Sequence, residues 1–234
     1  LATLTRQTMS HKLEIVILTR DRLSMLKQSL ASVLEQKASF AWKLIVSDNS
    51  QSECTSHWLA KQFPDISTRR YYSIPVEAHF RDAINKACAD YVMLFHDDDI
   101  LLPNCIQILA NKLDQNKKLS AVCCNAFVAL GDQLTNRTML RGASKDLQIC
   151  SSSVLVKRYL DFWEGGVAPL SPYVFRRSAL KAEYIDSSSG GKYSDVTMLL
   201  NVLANGPFLW LAKPLAIYRI HEGSDNSSYA ANDK

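Results

Sequence analysis

Short apolar runs and amphipathic segments alternate along the first half of the chain. The apolar runs are rich in β-branched or aromatic residues and predict buried strands at residues 13–18, 43–50, 91–95 and 119–130. Apolar residues at helical spacing predict helices at residues 24–36, 77–90 and 103–116. A weaker strand candidate covers residues 67–75. This alternation predicts an α/β fold, an open, twisted and mostly parallel sheet flanked by helices with right-handed crossovers.

The second half has a weaker pattern. Residues 134–153 show little periodicity, and residues 161–180 mix aromatic residues with glycine and proline. The elements predicted there are a helix beginning near Arg177, a flexible loop over 186–194, a helix over 195–206 that stops at Gly206, and two short strands within 208–228 that are broken near Pro214. No internal repeat or low-complexity linker separates the halves, so we expect one domain over residues 1–234.

The composition is that of a folded protein with a modest positive charge. Hydrophobic residues make up 47% and charged residues 21%, and the formal net charge is +4. The 27 Lys and Arg residues are scattered, which argues against a nucleic-acid partner and is compatible with a small anionic ligand. No apolar run approaches the ~20 residues of a membrane span, and no signal peptide precedes the first strand. We expect a cytoplasmic protein; the pattern leaves open its oligomeric state and peripheral contact with the inner face of the membrane.

Six cysteines are spread along the chain, and none forms a CxxC pair. Cys88 and Cys123 lie in apolar surroundings. The cysteines are therefore predicted to be buried free thiols in a reducing compartment, in preference to a disulfide framework or a zinc site.

Three polar clusters follow the predicted strands, at the ends where an open α/β sheet binds its ligands. They are Thr19, Arg20, Asp21 and Arg22 after the first strand, Asp48, Asn49 and Ser50 after the second, and His96, Asp97, Asp98 and Asp99 after residues 91–95. Each cluster alone is also compatible with a solvated turn or a helix cap. Because parallel strands end at one edge of a sheet, the three clusters together predict a binding site.

The three consecutive aspartates indicate what that site could bind. Neighbouring carboxylates repel one another, so either water solvates them or a positive charge lies among them. Mg²⁺ or Mn²⁺ would supply that charge, because these cations take oxygen ligands and often bind through one or two carboxylates together with phosphates. His96 would then orient a ligand or touch a nucleotide, although an ordinary polar role explains it equally well.

Five segments in order resemble the family 2 glycosyltransferases with the GT-A fold. They are "IVILTRDRLSMLKQSLASVLEQ", "LIVSDNS", "DYVMLFHDDDILLP", "KYSDVTMLL" and "YRIHEGSDNSS", within residues 12–228. The resemblance implies a nucleotide-sugar-binding half over 12–130, Rossmann-like, and an acceptor-binding and catalytic-base half over 131–234. It implies inverting transfer from a nucleotide-diphosphate sugar, with UDP the expected carrier, to a hydroxyl of a glycan or lipid-linked acceptor. A role in bacterial surface polysaccharide synthesis is the expected setting.

The same resemblance assigns roles to individual residues. Asp195 is the expected catalytic base, Asp98 and His221 are the expected ligands of Mn²⁺ or Mg²⁺, and Ser224 and Asn226 are in a loop expected to fold over the nucleotide. The residues expected to bind the nucleotide sugar are Thr19, Arg20, Asp21, Arg22, Asp48, Arg81, His96 and Asp97.

The chain departs from the family pattern at several of these positions. His96 replaces the first acid of the aspartate-x-aspartate signature, and Arg20 stands where the family carries an aromatic residue. Phe80 and Arg81 stand where the family tends to carry an arginine-asparagine pair, and Ser194 replaces the glutamate before the catalytic aspartate. The arginine at position 20 puts base stacking by an aromatic ring in doubt, although a guanidinium plane can stack in its place.

Two other functions remain compatible with parts of this pattern. A sugar nucleotidyltransferase also uses acidic metal sites, but its first loop is usually glycine-rich, and "TRDRLS" has no glycine. A non-catalytic sugar-nucleotide or glycan-binding module would not need Asp98, Asp195 and His221 together. Three aromatic residues of the second half could stack on acceptor sugars or pack in the core: Phe162, Trp163 and Tyr173.

Overall fold

The computed structural model describes residues 11–222 and consists of one open sheet with helices on both faces. The strands are β1 (Leu13–Thr19), β2 (Trp42–Asp48), β3 (Ser67–Arg70), β4 (Tyr91–His96), β5 (Ile100–Leu101), β6 (Ala121–Leu130), β7 (Gln133–Thr138), β8 (Leu147–Ile149), β9 (Val174–Arg176) and β10 (Phe208–Ile220). The helices are α1 (Leu23–Leu34), α2 (Cys54–Gln62), α3 (Val76–Asn85), α4 (Cys105–Gln115), α5 (Ser152–Leu160), α6 (Phe162–Gly165), α7 (Ser187–Gly190) and α8 (Ser194–Leu203).

The strand order positions the site. Among the described residues the sheet runs β3-β2-β1-β4-β9-β6-β10-β5, with β7 on β6 and β8 on β10. The pairings β3–β2, β2–β1, β1–β4 and β6–β10 are parallel. Strand β9 lies antiparallel between β4 and β6, so β4 and β6 point the same way. The carboxyl ends of β2, β1 and β4 are therefore neighbours at one edge, as the mostly parallel α/β sheet of the sequence analysis predicted.

Two apolar clusters, one on each face of the sheet, hold this arrangement. Strand β1 is buried along its whole length, so its residues alternate between the clusters: Val16 belongs to one, and Ile15 and Ile17 belong to the other. Helix α1 packs through Leu26 and Leu30, which lie four residues apart on one helical face. Strands with both faces buried read as continuous apolar runs, which is why they could be recognised in the sequence.

The first half follows the prediction closely. The helices expected over 24–36, 77–90 and 103–116 are α1, α3 and α4, and the four apolar runs are β1, β2, β4 and β6. The weak strand over 67–75 is confined to Ser67–Arg70. Helix α2 was not predicted, because it buries only Thr55 and Leu59 and so carries little amphipathic signal.

The second half corrects several predictions. The expected helix near Arg177 is a single 3₁₀ turn, because the Arg177 side chain donates back to the carbonyls of Ala87 and Leu180 at 3.0 and 2.9 Å. Residues 186–194, expected to be a loop, form short helical turns that begin where Asp186 accepts from Ser188 N at 3.0 Å. Residues 208–220 form one strand, in which Pro214 causes a shift of register against β6.

The cysteines are free, but only half of them are buried. Cys105, Cys123 and Cys124 lie in the core, whereas Cys54, Cys88 and Cys150 are exposed. The prediction of a buried Cys88 was wrong, because this residue lies in the connection between α3 and β4, where its Sγ contacts the Lys86 carbonyl at 3.4 Å. Within residues 11–222, no helix has both the length and the apolar character needed to cross a membrane.

Candidate active site

The ends of β2, β1 and β4 bring the three polar clusters together. Thr19 pairs with Asp48 across β1 and β2, and Leu18 pairs with His96 across β1 and β4. The backbone bonds continue past the strands, because Asn49 N donates to Thr19 O at 2.9 Å and Asp97 N donates to Leu18 O at 3.2 Å. The sheet register therefore fixes the start of each polar loop against its neighbour.

The buried carboxylate of Asp97 joins two of these loops through hydrogen bonds. Thr19 Oγ1 donates to its Oδ2 at 2.6 Å, and Arg20 N donates to the same oxygen at 3.3 Å. Burial raises the pKa of Asp97 above its usual range, while the positive charge of Arg22 and the Thr19 hydrogen bond oppose the increase. With its carboxylate occupied in this way, Asp97 orders the turn after β1.

Arg22 is the positive charge that lies among the aspartates. Its guanidinium nitrogens lie 2.7 Å from Asp97 Oδ1 and 2.8 Å from Asp98 Oδ2, and 33% of its side chain is exposed. A forked guanidinium can hold two carboxylates at once, which a lysine ammonium does less well. The chain itself therefore supplies a partner for two of the three adjacent acids.

Asp98 is the carboxylate best suited to hold a cation. His221 Nε2 lies 3.2 Å from its Oδ2, and only 13% of its side chain is exposed. Burial raises the pKa of Asp98, but the charges of His96 and Arg22 and the His221 hydrogen bond outweigh burial and hold the pKa below its usual value. Asp98 is therefore ionised at neutral pH and lies beside the residue expected to share a metal with it.

Asp99 is buried and accepts a hydrogen bond from the backbone of Arg219 on β10. Arg219 N donates to Asp99 Oδ1 at 3.1 Å, Arg219 Nε donates to the Asp98 carbonyl, and Arg219 Nη1 donates to Gln28 Oε1 at 2.6 Å. Burial and the neighbouring charge of Asp98 raise the pKa of Asp99 to about 8. Sequence analysis missed Arg219, although it stands two residues before His221 in the quoted "YRIH".

The donor atoms at the end of β4 fit a divalent cation. Ligand atoms of His96, Asp98 and Asp99 lie within 4.8 Å of one another. The buried His96 Nε2 has no hydrogen-bond partner among the described residues, so it is an available nitrogen ligand in a polar cluster. Carboxylate oxygens suit both Mg²⁺ and Mn²⁺, and an imidazole nitrogen favours Mn²⁺ over Mg²⁺.

Asp48 forms a second acceptor at the edge, at the end of β2. It is 1% exposed; its Oδ1 accepts from Ser50 N at 3.0 Å, and its Oδ2 lies 3.5 Å from Arg70 but accepts no hydrogen bond from the described residues. Arg70 lies with its guanidinium carbon 4.4 Å from the Tyr72 ring centroid, and Tyr72 is 65% exposed. The edge thus holds a buried acceptor beside a cation–aromatic pair in which only the tyrosine is exposed, and sequence analysis did not single out this pair.

Asp21 and Arg20 have different positions in the turn after β1. Asp21 adopts a left-handed conformation with φ 54°, its N donates to Ser50 Oγ at 2.8 Å, and its Oδ1 accepts from Gln51 N at 2.9 Å. Asp21 therefore ties the first loop to the second. The Arg20 side chain is 42% exposed and lies 3.9 Å from Asp21, so it is a more exposed cation than Arg22 at this edge.

Asp195 lies in the first turn of α8, where the helix dipole favours a carboxylate. The N-cap of the helix is Tyr193, so Asp195 stands at the second helical position. Burial, and then the charge of Asp195, raise the pKa of Tyr159 on α5. Asp195 is therefore close enough to α5 for its charge to act on that helix.

Comparison with known proteins identifies the family. A profile described as Glycosyl transferase family 2 matches residues 14–181, which is more than half of the chain. The chain belongs to glycosyltransferase family 2. Among curated protein sequences, none matches it significantly.

Solved structures of low sequence identity share the GT-A fold of this family 2 chain. S. aureus TarS 1-349 in complex with UDP-GlcNAc has a TM-score of 0.67 at 15% identity, over 93% of this chain and 61% of that chain. The mannosyltransferase PcManGT from Pyrobaculum calidifontis, in complex with GDP-Man and Mn²⁺, has a TM-score of 0.61 at 11% identity, over 94% of this chain and 60% of that chain. This family 2 chain thus spans about 60% of the length of these relatives.

Arg81 is directed away from the acids of this glycosyltransferase-family site. Its Nε donates to the Ile185 carbonyl at 2.8 Å, and its Nη2 lies 2.8 Å from Glu77 one turn earlier on α3. Glu77 in turn accepts from Ser187 N at 3.0 Å. In the described residues, Arg81 joins α3 to the segment before α8, and the neighbouring Phe80 is the residue that reaches the edge, with its ring 5.8 Å from that of His96.

The three aromatic residues considered for sugar stacking differ in burial. Tyr173 is fully buried, stacks on Phe175 at 5.3 Å and accepts a hydrogen bond from Trp210 Nε1 at 2.5 Å, so it belongs to the core. Phe162 packs against the same core, whereas Trp163 is 52% exposed. Of the three, Trp163 is the one that a family 2 acceptor could contact. Ser224 and Asn226 lie outside the described residues.

Proposed function

We propose that this family 2 chain transfers a sugar from a nucleotide-diphosphate sugar to a hydroxyl of a glycan or lipid-linked acceptor. The observation that carries the proposal is Asp98, an ionised carboxylate beside His96 and His221 at the sheet edge where β2, β1 and β4 end. We call the loops at this edge, residues 19–22, 48–50 and 96–99, the donor edge. Ligands of open α/β sheets bind at such an edge.

The nucleobase is expected at Asp48. Its Oδ2 is buried and accepts no hydrogen bond from the described residues, so an N–H on the edge of a base would satisfy it. Arg70 and Tyr72 lie beside it and offer flat groups for stacking. UDP is our expected carrier; the structures compared above were obtained with UDP-GlcNAc for TarS and GDP-Man for PcManGT.

The diphosphate is expected at Asp98, with His221 and His96 completing the protein ligands of a divalent cation. When bound, such a cation neutralises charge on the leaving diphosphate. Arg22 contacts Asp97 and Asp98 through ion pairs and keeps a third of its side chain exposed. It is therefore able to exchange part of its contact with the acids for contact with a phosphate oxygen.

Asp195 is proposed as the base that activates the acceptor. Its carboxylate takes the proton of the acceptor hydroxyl as the hydroxyl oxygen forms a bond to the anomeric carbon. The bond between that carbon and the diphosphate oxygen breaks in the same displacement, so the configuration inverts. A positioned base contributes typically ~10²–10⁴-fold to the rate. The position of Asp195 in the first turn of α8 fixes it on a regular element.

The acceptor is expected on residues 131–222, the second half of the described chain. We propose that the reaction takes place in the cytoplasm, at the inner face of the membrane when the acceptor is lipid-linked, and serves bacterial surface polysaccharide synthesis. A nucleotidyltransferase would release diphosphate from a nucleoside triphosphate, and a binding module would release nothing.

Turnover of a panel of donors tests the proposal. UDP-GlcNAc, UDP-glucose and GDP-mannose should be tested with Mn²⁺ and with EDTA, with nucleotide release measured in the presence and absence of saccharide acceptors. We expect release of the nucleoside diphosphate from at least one donor, dependent on Mn²⁺ and abolished in Asp98→Asn. Diphosphate release from UTP and a sugar phosphate, or no release from any donor, would refute it.

A further inference from the structure

A cleft of about 510 Å³ opens in the second half of the chain. It is lined by Asn136, Arg137, Thr138, Arg141, Gly142 and Trp163. The lining combines two arginines, small polar groups and one half-exposed indole ring, and it contains no acidic residue. Its volume is within the range of ligand-binding clefts, and its positive charge distinguishes it from an ordinary apolar groove.

Arg141 is held in this cleft with most of its donors available. Its Nη1 donates to the Trp163 carbonyl at 2.8 Å, and its guanidinium carbon lies 5.1 Å from the Trp163 ring and 5.3 Å from the Phe162 ring. Among the described residues it forms no ion pair with a carboxylate. A guanidinium has five N–H donors in a fixed plane. Arg141 therefore keeps several donors for an anion, at a position that the two rings already define.

The backbone of the cleft is held by contacts that leave little freedom. Gly166 has φ +72°, and a Cβ built on it would lie 1.8 Å from Met139 O. Asn125 on β6 accepts from Leu140 N at 2.7 Å and donates to Leu140 O at 3.0 Å. Arg141 N donates to Gly165 O at 3.1 Å. These contacts fix Arg141 and Trp163 before any ligand arrives, as a binding site requires.

The cleft is linked to the helix that carries the proposed base through two intervening helices. Trp163 lies on α6, which follows α5 after a single residue, and α5 packs against α8. The charge of Asp195 on α8 reaches Tyr159 on α5. A molecule lying against Trp163 thus contacts α6, the helix that follows α5, and α5 packs against the helix of Asp195.

We propose that this cleft binds a saccharide that carries a carboxylate or phosphate group, and that the anionic saccharide is part of the acceptor. The apolar face of the sugar ring lies on Trp163, and the anionic group accepts hydrogen bonds from Arg141. The inference rests on the proposed function, because only a glycosyltransferase needs such an acceptor.

Direct binding of small probes to the intact chain tests this inference. The probes are methyl β-D-glucuronide, glucose 6-phosphate and the neutral methyl β-D-glucoside, and their dissociation constants can be measured by ligand-observed NMR. We expect at least one anionic probe to bind roughly tenfold or more tightly than the glucoside. A carboxylate preference or a phosphate preference supports the inference and identifies the anionic group.

Two variants and one control assign that preference to the cleft. Arg141→Gln removes the charge, and Asn136→Asp adds a repelling carboxylate at an exposed lining position without removing the Arg141 contacts. Both should abolish the anionic preference. Lys117→Gln, at a residue that is 73% exposed and outside the lining, should keep it. Equal binding of all three probes, or an anionic preference that survives both variants, would overturn the inference.

UDP binding with Mn²⁺, measured on the same samples, separates the two proposals. Normal UDP binding without any anionic preference removes the anionic acceptor and leaves the proposed transfer reaction intact. If the parent chain does not bind UDP but still prefers the anionic probes, the proposed transfer reaction is refuted and the anionic saccharide site is retained.

Discussion

The donor edge and the acceptor cleft are built by different means. At the donor edge, strand register and side-chain bonds lock the polar loops together, and Arg22 and Arg219 neutralise buried acids from within the chain. The cleft is lined by the outer strand β7, by the turn at Arg141 and Gly142 and by the short helix α6, and the position of that turn depends on single contacts at Gly166 and Asn125. The charged donor edge is thus stabilised by many small contacts, whereas the turn that carries Arg141 is stabilised by a few specific contacts.

The largest expected effect is that of Asp195→Asn, which should impair sugar transfer but leave UDP binding at the donor edge unchanged. Asp195→Asn should fold normally and bind UDP with Mn²⁺ as the parent does, because the donor edge is unchanged. Sugar transfer should fall by ~10² or more, because asparagine cannot accept the acceptor proton. A transfer assay and a UDP titration measure the two quantities. Ser194→Ala, one residue earlier on α8, is the control and should retain transfer; near-normal turnover in Asp195→Asn would exclude it as the base.

The second effect tests whether the cleft depends on one backbone position. Gly166→Ala places a methyl group against Met139 O at a positive φ, so we expect a loss of ~2 kcal/mol or more of unfolding free energy. Gly142 has φ +61° but nothing within 4 Å of a built Cβ. Gly142→Ala should therefore lose only ~1 kcal/mol. Thermal melts of both variants check this, and equal losses would show that packing at Gly166 contributes nothing.

The third effect concerns the internal charge balance of the donor edge. Arg22→Gln leaves Asp97 and Asp98 without their shared cation, so we expect a loss of ~1–2 kcal/mol at pH 7. Protonation of these carboxyls relieves their repulsion. The difference in unfolding free energy between the variant and the parent should therefore shrink as the pH falls, first through the raised pKa of Asp97 and then through the lowered pKa of Asp98.

Added Mn²⁺ provides a second measurement on the same variant. The cation should raise the melting temperature of Arg22→Gln more than that of the parent, because it replaces the missing positive charge. Arg177→Gln, which loses only contacts to carbonyl oxygens, is the matched arginine control. An equal response to Mn²⁺ in Arg22→Gln and the parent would contradict this account of the acids.

The smallest effect lies behind the donor edge, at His79. This buried side chain is 2.7 Å from Ser47 Oγ, and burial lowers its pKa to about 4, while the charges of Asp82 and Asp48 oppose that decrease. The unfolded state binds a proton near pH 6.5, so stability is present above that pH and is lost as the pH falls toward the folded pKa. Between pH 6.5 and pH 5.5 His79 should contribute a loss of about 1 kcal/mol, measured against His79→Gln because the raised pKa of Asp99 gives an opposite change in both proteins.

Urea titrations at several pH values measure this loss. His79→Gln should flatten it, and His57→Gln, at an exposed position of α2, should not. A stability difference between the parent and His79→Gln that is constant over this range would show that His79 does not titrate there.

The difference between the regions also decides what could be predicted from sequence. Thr19, Asp48 and His96 could be assigned to one edge because each follows a continuous apolar run that only a buried strand explains. The contact of Arg22 with Asp97 joins residues that are 75 positions apart in the sequence, so no local sequence pattern predicts it. Helix α5 was not predicted, because its apolar residues Val154, Val156 and Leu160 are exposed and the segment therefore lacks an amphipathic pattern.

Residues 186–194 show the same limit in another form. Their serines and glycines indicate a flexible loop, yet Asp186 accepts from Ser188 N and starts a helical turn. Local side-chain bonds to the backbone outweigh the composition there. We predict that this segment, which precedes Asp195, becomes more ordered when ligand binds, and comparison of its hydrogen exchange with and without UDP and Mn²⁺ tests this.

The central claim is that Asp98 binds the donor nucleotide through a divalent cation. Calorimetric titration of UDP into the parent and into Asp98→Asn, each with Mn²⁺ and with EDTA, tests it most directly. We expect the parent to bind UDP at least roughly tenfold more tightly with Mn²⁺ than with EDTA, and Asp98→Asn to bind weakly under both conditions. Equal affinity of the parent with Mn²⁺ and EDTA, or a full Mn²⁺ effect in Asp98→Asn, would contradict it.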